Sequence, residues 1–228
     1  MRALVAAGML AAIGCGGTTP SPQPPPAAKP VATSASDDRS GFAQAEFKAL
    51  RSDRFGVTFL LPDRPAWTVV DRDDQAAGWL VATHAPTSTT VRVRKFDETT
   101  LVGRRECELR AQLVGELPKP EAVEAGHFTT LVDEPLHRPV GWDGRRWIAF
   151  ETLAGGRLAG HVFLVSGRQH ACLVVHVRTE VRSDVDAEAL ADRLELFSSR
   201  TVGQVVVDRA KEPEPLLPTP KVGPPGLP

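Results

Sequence analysis

Histidine and cysteine are the side chains best suited to hold a metal or act as nucleophiles, and the stretch RQHACLVVHVRT gathers several of them. Side chains two apart on a strand share a face, so His170, Cys172, Val174 and His176 line up on one side. That alignment does not make a metal site. At ~3.3 Å per residue Cys172 and His176 stand ~13 Å apart, while ligands meet one ion at bonds near ~2 Å. The remaining combination is His161, His170 and Cys172, with His161 supplied by the preceding strand. Neither a metal nor any other cofactor is expected there.

Catalytic constellations are likewise missing from the chain. There is no G-x-S-x-G elbow, no S-x-x-K, no H-E-x-x-H, no C-x-x-C and no Walker loop. Gly155-Gly156 and Gly16-Gly17 lack the strand-to-helix setting of a phosphate cradle and are read as turn and linker glycines. Asp143 and His137 could form an acid/base couple, but a polar turn tip accounts for Asp143. The expectation is a protein that is not an enzyme. A net charge of -1 with interspersed signs supplies no field for nucleic acid.

The elements that would carry these residues are mostly strands. Phe55, Val57 and Phe59 alternate with smaller neighbours up to Leu61-Pro62, Trp67 to Val70 gives a second short run, and WLVATH and VRVRKF flank Pro86-Thr87-Ser88 as a hairpin. From Thr100 the period becomes helical. Val102, Leu109, Leu113 and Leu117 form a stripe with Cys107 and Val114 at its edge, ended by Pro118 and Pro120. The runs WIAFETLA, RLAGHVFLV and RQHACLVVHVRT, separated by Gly-Gly and Ser-Gly, predict an antiparallel meander. A capping-box-like Ser183-Asp184-Val185-Asp186 then opens a helix with Ala187, Leu190, Ala191, Leu194 and Phe197 on one stripe. The expected fold class is α+β: a curved antiparallel β-sheet with two main helices packed on it.

The start of the chain is of a different kind. Met1-Arg2 is a positive n-region, and Ala3 to Ile13 is an apolar run in the ~7–15 residue range of an export signal. Ala12-Ile13-Gly14-Cys15 resembles the lipobox of bacterial lipoproteins, with Ala12 where that family most often has Leu. The resemblance implies diacylation of the Cys15 sulfur, cleavage before Cys15 so that it becomes the first mature residue, two or three palmitate-type chains in all, and a membrane anchor. One acyl chain binds a membrane only marginally, which is why two or three are used. Gly16, in place of the Asp that retains enteric lipoproteins at the inner membrane, points to the outer membrane. The chain then divides into a signal peptide (1–14), a lipidated cysteine and Pro/Ala/Ser-rich linker (15–41), one α+β domain (42–208) and a Pro-rich tail (209–228).

With Cys15 assigned to lipid, two cysteines remain. In an oxidising exported compartment a helix packed on the last meander strand would let Cys107 and Cys172 join as a disulfide.

The opening FGVTFLLPDRPAWTVV, followed by hairpin, helix, meander and closing helix, resembles the Mog1/PsbP-like α/β/α sandwich across most of residues 50–200. That resemblance implies a non-catalytic binding or assembly module with an envelope protein as partner and supplies no site residues. The leading expectation is a lipid-anchored envelope or periplasm-facing protein that binds a partner, with Trp67, Trp79, Trp142 or Trp147 as possible anchors. The alternative is a hydrolase or small-ligand binder with a pocket between sheet and helix.

Overall fold

Strict alternation decides which way each long strand faces. On β9 (Ala171–Val181), Leu173, Val175 and Val177 point to one side and Cys172, Val174 and His176 to the other, so both faces of the sheet acquire a core. The computed structural model describes residues 41–42 and 45–208. It contains a seven-stranded sheet in the order β3-β4-β5-β9-β8-β7-β6, in which every neighbouring pair is antiparallel. Its other members are β3 (Trp67–Val70), β4 (Leu80–His84), β5 (Thr89–Asp97), β6 (Thr129–Pro135), β7 (Asp143–Thr152) and β8 (Leu158–Arg168).

The hairpin and the meander fall where the residue pattern puts them. The β4–β5 connection is a single 3-10 turn, Ala85–Thr87, and the β7–β8 connection turns on Gly155 and Gly156, both with φ of 76°. The second meander turn differs from expectation. Ser166 and Gly167 stay inside β8, and the chain reverses at Gln169-His170, so His170 is a turn residue and not a member of the strand face.

A second sheet, which the alternation did not announce, is built from β1 (Phe47–Ser52), β2 (Val57–Pro62) and β10 (Val206–Val207) in the order β1-β2-β10. With α4 (Ala187–Leu196) and the π turn that continues it (Phe197–Val202), it covers one face of the large sheet. Leu190, Leu194 and Phe197 are buried there as expected, whereas Ala187 and Ala191 are exposed. The anticipated capping box does not form: Ser183 caps a 3-10 turn without a side-chain bond. All four tryptophans are at most 6% exposed, so none is a surface anchor.

The opposite face carries α2 (Arg104–Leu113) and α3 (Pro120–Glu124); α1 (Asp73–Ala76) is one turn before β4. The buried side of α2 is Cys107 and Ala111, while Leu109 is 54% and Leu113 80% exposed. Of the stripe read as core, Leu109 and Leu113 therefore point outward, while Leu117 is buried and Val102 packs against the same core. Small residues line the inner side because α2 begins almost against the sheet: a Cβ on Gly167 would lie 2.4 Å from the Gly103 carbonyl oxygen. The fold class is α+β, antiparallel sheets with helices packed on both faces of the larger one. Among the described residues no helix is long and apolar enough to cross a membrane.

Candidate functional site

The α2 side of the large sheet gathers most of the chemistry. Cys107, in the middle of α2, is joined to Cys172 on β9 by a disulfide with a Cα–Cα separation of 5.3 Å. Both residues are buried beside Ala111, Val174, Phe96 and Trp79. The bond removes Cys172 from the set of possible metal ligands, since a ligating thiolate must be free. Cys15 lies outside the described residues.

Past the disulfide the same sheet face turns from apolar to charged. Glu116, which follows α2 and is 5% exposed, accepts a hydrogen bond from His176 Nδ1 at 2.9 Å and ion-pairs with Arg92 of β5. His176 Nε2 lies 3.0 Å from Nδ1 of His161 on the neighbouring β8. His161 Nε2 in turn lies 3.3 Å from a carboxylate oxygen of Glu151 on β7, yet is not aligned for a hydrogen bond and has no partner. Arg178 approaches the same Glu151 oxygen at 3.7 Å. A file of six groups, Arg92, Glu116, His176, His161, Glu151 and Arg178, thus crosses four strands.

Tautomers follow from the ends of the file. A carboxylate can only accept, so Nδ1 of His176 carries its proton, Nε2 accepts, and Nδ1 of His161 donates to it. Both rings are then neutral. Burial, followed by the positive charge of its neighbours, pushes His161 down to about 3, and burial also lowers His176 against the opposing pull of Glu116. The rings stack with Phe163, whose centroid is 4.3 Å from His176, and Phe128 meets His161 edge-on at 5.5 Å. Neither histidine was singled out with Glu116 or Glu151 from spacing, because the four residues come from four separate segments. Among the described residues no three His, Cys, Asp or Glu side chains are placed to hold a metal ion.

Beside this file lies a hollow of about 260 Å³ between α2, α3 and the β6–β7 edge. Leu117, Pro118, Val123 and Trp147 supply its apolar wall, and Asp133 and Arg145 its polar rim. Trp147 donates its indole N–H to Thr130 at 3.0 Å, and Arg145 makes two bonds of 2.6 Å to Asp133, holding that carboxyl below its usual range. Leu109, Leu113 and Val114 continue outward along α2. A single exposed leucine is ordinary, but two at i and i+4 form a patch, and Gln112 of the same helix lines the hollow. Arg105 is exposed on the same outer face; the Gly103 N–H holds the Glu106 carboxyl below its usual range, and the Arg105 charge adds to that pull.

A third histidine, His84, is buried on the other face. His84 shares a 2.8 Å bond with Thr87, which continues through Thr89 and Thr179 at 2.8 and 2.9 Å. Arg193 of α4 donates to the Thr87 and Glu180 carbonyls at 3.0 and 3.3 Å, so this network ties α4 to the hairpin turn. Phe42 and Trp67 pack on the His84 ring at 4.8 and 5.2 Å and close it off from solvent. Asp143 and His137 make no bond to each other; Asp143 opens β7 opposite Gly167.

No protein-family model and no curated protein matches the chain. Several solved structures resemble it in fold. The Ran-binding protein Mog1p of Saccharomyces cerevisiae is 9% identical with a TM-score of 0.47, over 72% of this chain and 96% of that one. The PsbP protein of the cyanobacterium Synechocystis is 13% identical with a TM-score of 0.43, over 72% and 94%. LpqN of Mycobacterium tuberculosis, described as involved in cell envelope biogenesis, is 13% identical with a TM-score of 0.41, over 72% and 91%.

Proposed function

We propose that this is a lipid-anchored bacterial envelope protein whose α+β domain binds a protein partner and carries no catalytic chemistry. The observation that carries the binding role is the outward face of α2: Leu109 and Leu113 lie open to solvent on a helix whose Gln112 lines the Trp147 hollow and which is locked in that orientation by the Cys107–Cys172 disulfide. The occupant is a protein segment with apolar side chains for the leucines and hollow, and an acidic residue for Arg105. A buried disulfide also suits an oxidising compartment, as export requires. The anchor is Cys15, acylated at the mature N-terminus, with the outer membrane as its place and residues 16–41 as the spacer.

The test joins two measurements on the tethered protein. Mass spectrometry of the mature N-terminus is expected to find a diacylated or triacylated Cys15; an unmodified cysteine or a chain still beginning at Met1 removes the anchor. A photo-crosslinking residue at position 112, on the same helix and in the wall of the hollow, is expected to trap one reproducible envelope protein. Leu109→Ser/Leu113→Ser should abolish that adduct while leaving stability within about 0.5 kcal/mol, as for surface positions. An adduct that survives the double substitution places the binding face elsewhere. A second reading, small-ligand binding, has two hollows to rest on: the one beside Trp147, at 260 Å³, is below the ~300–1,000 Å³ of typical ligand sites, and one of about 600 Å³ at Thr87, Glu180 and Arg193 is within that range but has a mostly polar lining, where ligand sites are mostly apolar.

A further inference from the structure

The segment from Glu116 to Phe128 touches the buried histidine pair at both of its ends: Glu116 bonds His176, and Phe128 packs edge-on against His161. Its own main-chain hydrogen bonds are local or run back to Ala111 of α2, as in Leu117 N to Ala111 O and His127 N to Ala122 O. Among the described residues none runs from it to the sheet. It is fastened by side chains alone, and the hollow lies partly beneath it, walled by its Leu117, Pro118, Pro120 and Val123. The disulfide pins α2 at Cys107, nine residues before the segment starts, and so does not hold it down.

We propose that residues 116–128 form a strap that closes over the His161–His176 pair at neutral pH and lifts when the pair takes up protons in acid. The closed arrangement has room for two protons and no more. Three junctions run from Glu116 through His176 and His161 to Glu151; the first two hold one proton each, and the third is misaligned. A third proton on His161 Nε2 would find no aligned acceptor.

That proton would also add positive charge to a buried place already flanked by Arg92 of β5 and Arg178 of β9. The remaining charged groups facing the pair, Glu116 from the strap and Glu151 from β7, are occupied by those two arginines. From β8 and from the far end of the strap aromatic rings, Phe163 and Phe128, face it. With the strap lifted, both imidazoles reach water and bind protons as free histidines do, so acid draws the equilibrium toward the open form. Opening unroofs the hollow and its Trp147.

The depressed proton affinity of His161 sets the size of the effect. A group moving from about 3 when closed to 6.5 when open shifts the opening equilibrium about 30-fold between pH 7.5 and pH 5.0. Hydrogen exchange followed by mass spectrometry on the whole chain, corrected for the pH dependence of intrinsic exchange, reads this directly. Amides of residues 116–128 are expected to lose about 30-fold in protection at pH 5.0 and, at both pH values, to exchange faster than those of β8 and β9 and with little dependence on added urea, as a local opening does. His161→Phe/His176→Gln should flatten the response. Equal protection of the strap at both pH values overturns the proposal, as does strap exchange as slow and as urea-dependent as that of β8 and β9, or a full pH response in the double variant. Should that variant not fold, the wild-type comparison of strap with β8 and β9 still decides the matter.

Discussion

Breaking the Cys107–Cys172 disulfide is expected to reduce the stability of the domain by about 4 kcal/mol without changing its fold. The two cysteines are separated by 65 residues in sequence, and cross-linking a loop of that size removes roughly 14–15 cal/mol/K of entropy from the unfolded chain, or about 4 kcal/mol at 25 °C. The native side adds little, because the buried sulfurs remain packed among Ala111, Val174 and Phe96 whether bonded or reduced. Equilibrium urea unfolding, followed by tryptophan fluorescence with and without reductant, tests the figure. For a slope near ~2 kcal/mol/M the midpoint should fall by about 2 M. Because the bond acts mainly on the unfolded chain, the slope should rise as reduction lets that chain expand. A reduced protein with its midpoint within about 0.3 M of the oxidised one would refute the reasoning, since the constraint on the unfolded state would then be absent.

Two further outcomes follow from packing and from proton linkage. Gly167→Ala sets a methyl 2.4 Å from the Gly103 carbonyl and 3.0 Å from the Arg104 nitrogen, neither of which is the yielding end of a side chain, so α2 must shift; thermal unfolding should report a loss of about 1–3 kcal/mol, and an unchanged midpoint would count against the close approach. His161 binds its proton more weakly in the folded protein than in the unfolded chain, so its contribution is full above pH ~6.5 and is lost as pH falls toward 3. Urea titrations should therefore show global stability about 2 kcal/mol lower at pH 5.0 than at pH 7.5 from this residue alone, with His176 acting in the same direction; stability that is flat or rising on acidification would contradict the buried, neutral pair.

Much of the large sheet was legible in the residue pattern because its strands are long, consecutive and joined by short turns. WIAFETLA, RLAGHVFLV and RQHACLVVHVRT pair with their neighbours in chain order, so local alternation and turn residues suffice. The small sheet was not legible, since β10 is two residues long and reaches β2 across most of the domain, where Val206 meets Thr58. Nothing local marks such a pairing. The histidine file was half visible: His161 and His176 lie on strands whose faces could be assigned, but Glu116 and Glu151 arrive through tertiary packing. The disulfide was found by counting cysteines, and its geometry agrees with the helix-on-sheet placement that the count required.

The two misread leucines of α2, Leu109 and Leu113, bear most directly on what the domain does. At 100° per residue Leu109 is turned ~200° from Cys107, and Leu113 ~200° from Ala111, so the helix has two candidate inner sides and only one can face the sheet. Burial of leucine favours the first by roughly 1.5–3 kcal/mol per side chain, and on transfer alone the leucine side should win. Three features decide otherwise. The disulfide fixes Cys107 inward, Gly103 and Gly167 bring the backbones too close for a leucine between them, and Glu116 is drawn under the chain end by His176 and Arg92. Covalent, steric and ionic constraints all oppose the hydrophobic preference at the same helix. A chain that needed α2 only for its core could drop all three and bury the leucines; keeping them outward costs stability in the isolated domain, and a partner that covers Leu109 and Leu113 recovers it.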